Sequence, residues 1–126
     1  MAAIKVLVID DNQAHAEGLA ELLGLAGFES CHALTGSDGL RLAQEKSIDA
    51  VLLDMNLPGM NGREVCRRLR NNPETANIAI VFHTGQDRMP DGLHGADSFL
   101  TYPVAMVEVY SVIRGCVERR KSKVAG

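Results

Sequence analysis

The chain has no apolar run of membrane-spanning length and no charged-then-apolar leader, and these absences predict a soluble, cytoplasmic protein. Cysteine is scarce, and Cys31, Cys66 and Cys116 show no CxxC or other ligand spacing. An odd number of such residues fits a reducing compartment, where they serve as packing residues. Excess positive charge is also missing: the formal net charge is -3 and the pI about 5.8, which gives no electrostatic reason to expect nucleic acid as a partner. The one basic stretch, Arg119-Arg120-Lys121-Ser122-Lys123, reads as a solvated helix terminus, because cations suit the C-terminal end of the helix dipole. Internal repeats, low-complexity tracts and linkers are absent too. A length of 126 residues with 46% apolar content therefore predicts one domain, residues 1–126, with one core and no need of disulfides.

What is present is a pair of apolar runs that stop at carboxylates. Ile4-Lys5-Val6-Leu7-Val8-Ile9 ends at Asp10-Asp11, and Ala50-Val51-Leu52-Leu53 ends at Asp54. Runs of Val, Ile and Leu with little alternation suit strands buried on both faces of a parallel sheet, and ligands of such sheets gather outside the strand carboxyl ends. Both stops then meet in one crevice. Three carboxylates there repel one another unless a hard divalent cation such as Mg²⁺ holds them, so a metal-assisted phosphoryl site is the first expectation. Without the ion, at least one of the three should have a raised pKa.

The periodicity predicts a strand over 4–9 and a helix over 13–26, with Asn12 as its cap and Gly27 as its stop. A strand over 28–34 and a helix over 37–46 follow, then the strand ending at Asp54. Leu57-Pro58-Gly59-Met60-Asn61-Gly62 is a turn that opens a helix over 63–70, which Asn71-Asn72-Pro73 ends. Strands over 78–83 and 98–101 and a last helix over 105–119 complete the chain. Alternating strands and helices imply an α/β fold with a parallel sheet between two helical layers. The stretch 85–95 is irregular, since Pro90, Gly92 and Gly95 oppose a long helix, and 86–94 should hold at most about one turn.

With the elements placed, Val8-Ile9-Asp10-Asp11-Asn12 follows the first strand and Leu53-Asp54-Met55-Asn56-Leu57-Pro58-Gly59 the third. Phe82-His83-Thr84-Gly85 closes the fourth, and Gly95-Ala96-Asp97-Ser98-Phe99-Leu100-Thr101-Tyr102-Pro103 contains the fifth. Together these resemble the receiver domain of two-component response regulators over nearly the whole chain. The resemblance implies a doubly wound, flavodoxin-like five-stranded parallel sheet of order 2-1-3-4-5. It implies that Asp54 accepts a phosphoryl group from a histidine kinase or phosphotransfer protein. Asp11 would bind Mg²⁺ directly and Asp10 through water, with the main-chain carbonyl of Asn56 as a further ligand. Thr84 would follow the phosphate, Phe99 would change rotamer on activation, and the Tyr102-Pro103 bond would be cis. His15, His32 and His94 have no partner at metal spacing. His83 precedes Thr84 and could either touch the site or pack in its strand.

Two departures from the family pattern stand out. The position before Pro103 normally carries Lys but here is Tyr102. Three carboxylates and one Mg²⁺ leave a formal -1 that the lysine would cancel, and a unit charge about 4 Å from phosphate is worth roughly 4 kcal/mol gross at an effective dielectric near 20. A tyrosine hydroxyl offers a hydrogen bond but no charge. The segment from Thr84 to Phe99 is also shorter than usual by roughly four residues, about one helical turn, which predicts a vestigial fourth helix. If Met89 and Leu93 then only partly cover the sheet, the 85–118 face offers a surface for a protein partner or a homodimer. The functional expectation is a non-enzymatic phospho-accepting signalling module; the alternative is a receiver-like adaptor that binds partners independently of phosphate. A phosphohydrolase is disfavoured because no second catalytic acid or base follows Asp54 at a suitable spacing.

Overall fold

The computed structural model describes residues 2–85 and 92–125 of the chain. The elements run β1 (Lys5–Ile9), α1 (Gln13–Leu25), β2 (Glu29–Ala33), α2 (Gly36–Glu45), β3 (Ala50–Leu53), α3 (Gly62–Asn71), β4 (Ala79–Thr84), β5 (Ser98–Thr101) and α4 (Met106–Ala125). All strands are parallel, in the order β2-β1-β3-β4-β5 expected from the sequence. Successive strand residues face opposite sides, which splits the core into two layers. Leu7, Ile9, Val51, Leu53, Ile80 and Phe82 pack with Ala43 of α2 and Val65 and Leu69 of α3. Val6, Val8, Leu52 and Val81 pack with Leu19 and Leu23 of α1 and Val109 and Ile113 of α4. The central strands are therefore buried on both faces, the physical reason that their sequences are continuous apolar runs.

Local chemistry sets the helix starts. Asn12 caps α1 by accepting from the His15 N–H at 3.0 Å, Thr35 caps α2 by accepting from Asp38 at 3.1 Å, and Asn61 caps α3 by accepting from Glu64 at 2.9 Å. The Thr35 cap is why α2 starts at Gly36, one residue before the periodicity placed it. Gly27, at φ 97°, follows α1 in the left-handed region that glycine tolerates.

The largest departure from the sequence reading is at the last helix, which continues through the basic stretch to Ala125. Arg120 is not a solvated terminus: its guanidinium pairs with Asp97, Nε to Oδ1 at 2.9 Å. Arg70 reaches the other Asp97 oxygen at 3.0 Å, and also donates to the carbonyls of Ala76, Ile78 and Gly95. Asp97 in addition accepts from the Ile80 N–H at 2.9 Å. One carboxylate thus joins α3, β4, β5 and α4. Among the described residues no helix lies between β4 and β5, and the part of the expected vestigial helix over 86–91 lies outside the described residues.

Candidate functional site

Parallel register brings the carboxylates together. Ile9 and Leu53 are direct partners across β1 and β3, so Asp10 and Asp54 leave the sheet side by side, and the Asp54 N–H donates to the Ile9 carbonyl at 2.9 Å. Oxygen atoms of Asp10, Asp11 and Asp54 all lie within 4.8 Å of one another. Asp10 and Asp54 are only 3% and 7% exposed, whereas Asp11 is exposed at the mouth. Burial pushes the Asp54 carboxyl up, and the charges of Asp10 and Asp11 push the same way against the Asn56 N–H, which donates to Oδ1 at 3.0 Å. The expected raised carboxyl is thus Asp54. In the metal-free protein its ionisation costs folding stability, and the cost fades as pH falls through the raised pKa.

The turn after β3 is set by Gly62. A Cβ there would lie 2.5 Å from the Asp54 carbonyl oxygen and 2.7 Å from the Met55 Cα, so the start of α3 packs directly on the backbone that carries Asp54. The Gly62 N–H closes the loop on the Met55 carbonyl at 3.0 Å. Asn56 sits exposed within that loop.

At the end of β4, Thr84 is fully buried and its Oγ1 lacks a hydrogen-bond partner among the described residues. Such an unmet hydroxyl costs about 1–3 kcal/mol, which is tolerable where a ligand supplies the acceptor. Phe99, opposite Phe82 in the β4–β5 register, is half-buried against the α2–α3 layer. Tyr102 lies one residue past β5, its N–H donates to the Thr84 carbonyl at 2.9 Å, and its bond to Pro103 is cis as expected. The Tyr102 ring covers Gly85 so closely that a Cβ at 85 would lie 2.6 Å from Cε2. Burial, then the charges of Asp54 and Asp10, raise the Tyr102 phenol pKa, opposed by a hydrogen bond from the Gly85 backbone.

Two histidines join this arrangement. His15 Nδ1 is 2.6 Å from Asp10 Oδ2, and its ring meets Tyr102 edge-on at 5.0 Å. His83, buried in β4, stacks on His15 at 5.6 Å and tilts against Tyr102 at 4.9 Å. Its pKa is pushed down to about 4, by burial first and by His15 second, so His83 is neutral near pH 7. His83 thus packs in its strand, and it reaches the site only through the rings of His15 and Tyr102. His15 was invisible to a search for metal spacing; the signal was its place three residues after the Asn12 cap, on the first turn of α1 beside the β1 end.

Comparison with known proteins gives a consistent picture. The profile of the response regulator receiver domain family matches residues 6–114. The chain is 32% identical over 119 residues to the DNA-binding dual master transcriptional regulator RpaA of Synechocystis, covering 91% of this chain and 49% of that protein. It is 34% identical to the response regulator PleD of Caulobacter vibrioides, covering 87% of this chain but 25% of PleD. The chain thus spans half or less of the length of these two regulators. Protein PilH of Pseudomonas aeruginosa is 33% identical, with 79% of this chain and 86% of PilH covered. Among solved structures, a receiver domain protein from Clostridium thermocellum superposes with a TM-score of 0.85 at 29% identity, covering 94% of this chain and 97% of that one. A CheY-like receiver domain protein from Methanospirillum hungatei gives 0.87 at 21% identity, covering 97% and 99%.

Proposed function

The chain belongs to the response regulator receiver domain family, and from that premise we propose that Asp54 accepts a phosphoryl group from a histidine kinase or phosphotransfer protein. The observation that carries this reading is the convergence of Asp10, Asp11 and Asp54 within 4.8 Å. An all-oxygen donor set fits a hard divalent cation, Mg²⁺ by family. Asp11, Asp54 and the main-chain carbonyl of Asn56 would hold it, with Asp10 acting through water. When bound, the ion offsets carboxylate charge and phosphoryl-oxygen charge together. Asp54 supplies the attacking oxygen: the oxygen–phosphorus bond forms as the phosphorus–nitrogen bond of the donor phosphohistidine breaks, leaving an acyl phosphate. The Thr84 hydroxyl, buried and without a partner among the described residues, would donate to a phosphoryl oxygen, with Phe99 following the change.

Receiver domains are in general non-enzymatic signalling modules, and we read residues 1–126 as one such domain acting in the cytoplasm. No helix among the described residues is long and apolar enough to cross a membrane. The 85–118 face would meet a protein partner or a second copy, since Leu93 and Val107 are 39% and 72% exposed there. Nucleic acid is not proposed as a partner of this domain, although RpaA is named as DNA-binding. Tyr102 and its ring contacts favour a second reading, a phosphate-independent adaptor.

Intact-mass analysis after incubation with acetyl phosphate and Mg²⁺ separates the two. Wild type should gain one phosphoryl group and Asp54→Asn none; a wild type that stays unmodified would leave the adaptor. Calorimetric Mg²⁺ titration tests the ligand roles. Asp10→Ala should weaken binding about tenfold, as for an outer-shell partner, and Asp11→Ala by more. Equal losses would contradict the assignment of Asp11 as the direct ligand.

A further inference from the structure

His15 touches the acidic site and Tyr102 with the same ring. A carboxylate only accepts, so Nδ1 carries the proton in the 2.6 Å contact with Asp10 Oδ2. The other Asp10 oxygen accepts from the Asn12 N–H at 2.9 Å, which fixes the carboxylate plane from both sides. Beyond the imidazole, Tyr102 meets the ring edge at 5.0 Å and rests on Gly85, where the loop after β4 begins. The His15 backbone is held by the Asn12 cap, and His83, buried in β4, walls the far side. The imidazole thus bridges the acidic site and the phenol ring, its orientation set by the Asp10 hydrogen bond and by its contacts with Tyr102 and His83.

We infer that His15 is a positioning residue that couples cation occupancy of the acidic site to the placement of Tyr102. This rests on the proposed Mg²⁺ reading of Asp10, Asp11 and Asp54. A cation whose bound water engages Asp10 would compete for the carboxylate oxygen that orients His15, and any turn of the imidazole changes its edge contact with the phenol ring. Tyr102 then reports the site to the loop that starts at Gly85. Plain packing of three rings would give stability but no such response.

The sequence supplies its own probe. It contains no tryptophan and two tyrosines, so in a Tyr110→Phe background Tyr102 is the sole emitter. Tyr110 lies on α4, where its hydroxyl donates to the Leu22 carbonyl, away from the acidic site. Tyrosine fluorescence and calorimetry are recorded together during a Mg²⁺ titration, for Tyr110→Phe alone and with His15→Phe or His15→Gln. His15→Phe keeps a ring but loses the donor; His15→Gln keeps a donor but loses the ring. The emission of Tyr110→Phe should change with Mg²⁺, and both added substitutions should abolish the change while calorimetry still shows Mg²⁺ bound and circular dichroism shows a folded chain. Retention of the full response in either variant overturns the inference, as does Mg²⁺ binding to Tyr110→Phe without any change in emission. Absence of Mg²⁺ binding in wild type overturns the metal reading and the coupling with it.

Discussion

Asp97→Ala should destabilise the domain by about 2–3 kcal/mol, between the values for an exposed pair and for removing one partner of a fully buried one. Asp97, Arg70 and Arg120 have side chains only 16%, 17% and 18% exposed, so the loss leaves two guanidiniums facing each other with little water. Arg70 already shows the strain of its position: burial, and secondly Arg120, push its pKa down, while Asp97 holds it up. The Ile80 N–H, bonded to Asp97 at 2.9 Å, would also lose its partner. Arg70 keeps its three carbonyl contacts in the variant, which limits the damage to the α3–β4 side and concentrates it where β5 and α4 are tied on. Urea unfolding followed by far-UV circular dichroism measures the change. Asp97→Asn should lose less, since an amide oxygen still accepts from one arginine or from Ile80. A loss of under about 1 kcal/mol for Asp97→Ala would show that this network behaves like a surface ion pair.

That network also marks where sequence reading stops. The β1 and β3 strands were legible because residues 6–9 and 50–53 are buried on both faces, and their ends were legible because each run gives way to carboxylates, at Asp10 and at Asp54. Convergence followed from parallel neighbours alone. By contrast, Arg120 reads as one more basic residue near a helix end; only the β4–β5 register, which sets Asp97 beside Ile80, shows what it pairs with. The Asn12 cap was legible, and with it the position of His15 on the first turn of α1. Its contact with Asp10 was not, because that depends on how α1 leans on the sheet. The same holds for Gly85, whose small size matters only once the Tyr102 ring is placed over it.

Tyr102→Lys should raise the rate of labelling by acetyl phosphate about tenfold, and the gain should require Asp54. An added cation is worth roughly 4 kcal/mol gross at 4 Å and an effective dielectric near 20. Desolvation of the ammonium and screening reduce that to a net of about 1.4 kcal/mol in the transition state, which is a factor of ten. The site has a deficit for such a charge to fill: Asp54 is raised by burial and by Asp10 and Asp11, and His83, neutral near pH 7, supplies no compensation. An ammonium also has three donors in place of one hydroxyl, at a point where phosphoryl charge accumulates. The opposing factor is the surroundings of Tyr102. Its ring contacts with His15, His83 and Gly85 would all be lost, and a lysine without them can turn to solvent. Labelling measured by intact mass at several times, for Tyr102→Lys, wild type and Tyr102→Lys with Asp54→Asn, separates these outcomes. No increase, in protein that is folded and binds Mg²⁺, would reject the charge deficit as the limit on phosphorylation. The site would then have been rebuilt around the tyrosine, and the phosphate-independent adaptor would be the better description of the domain.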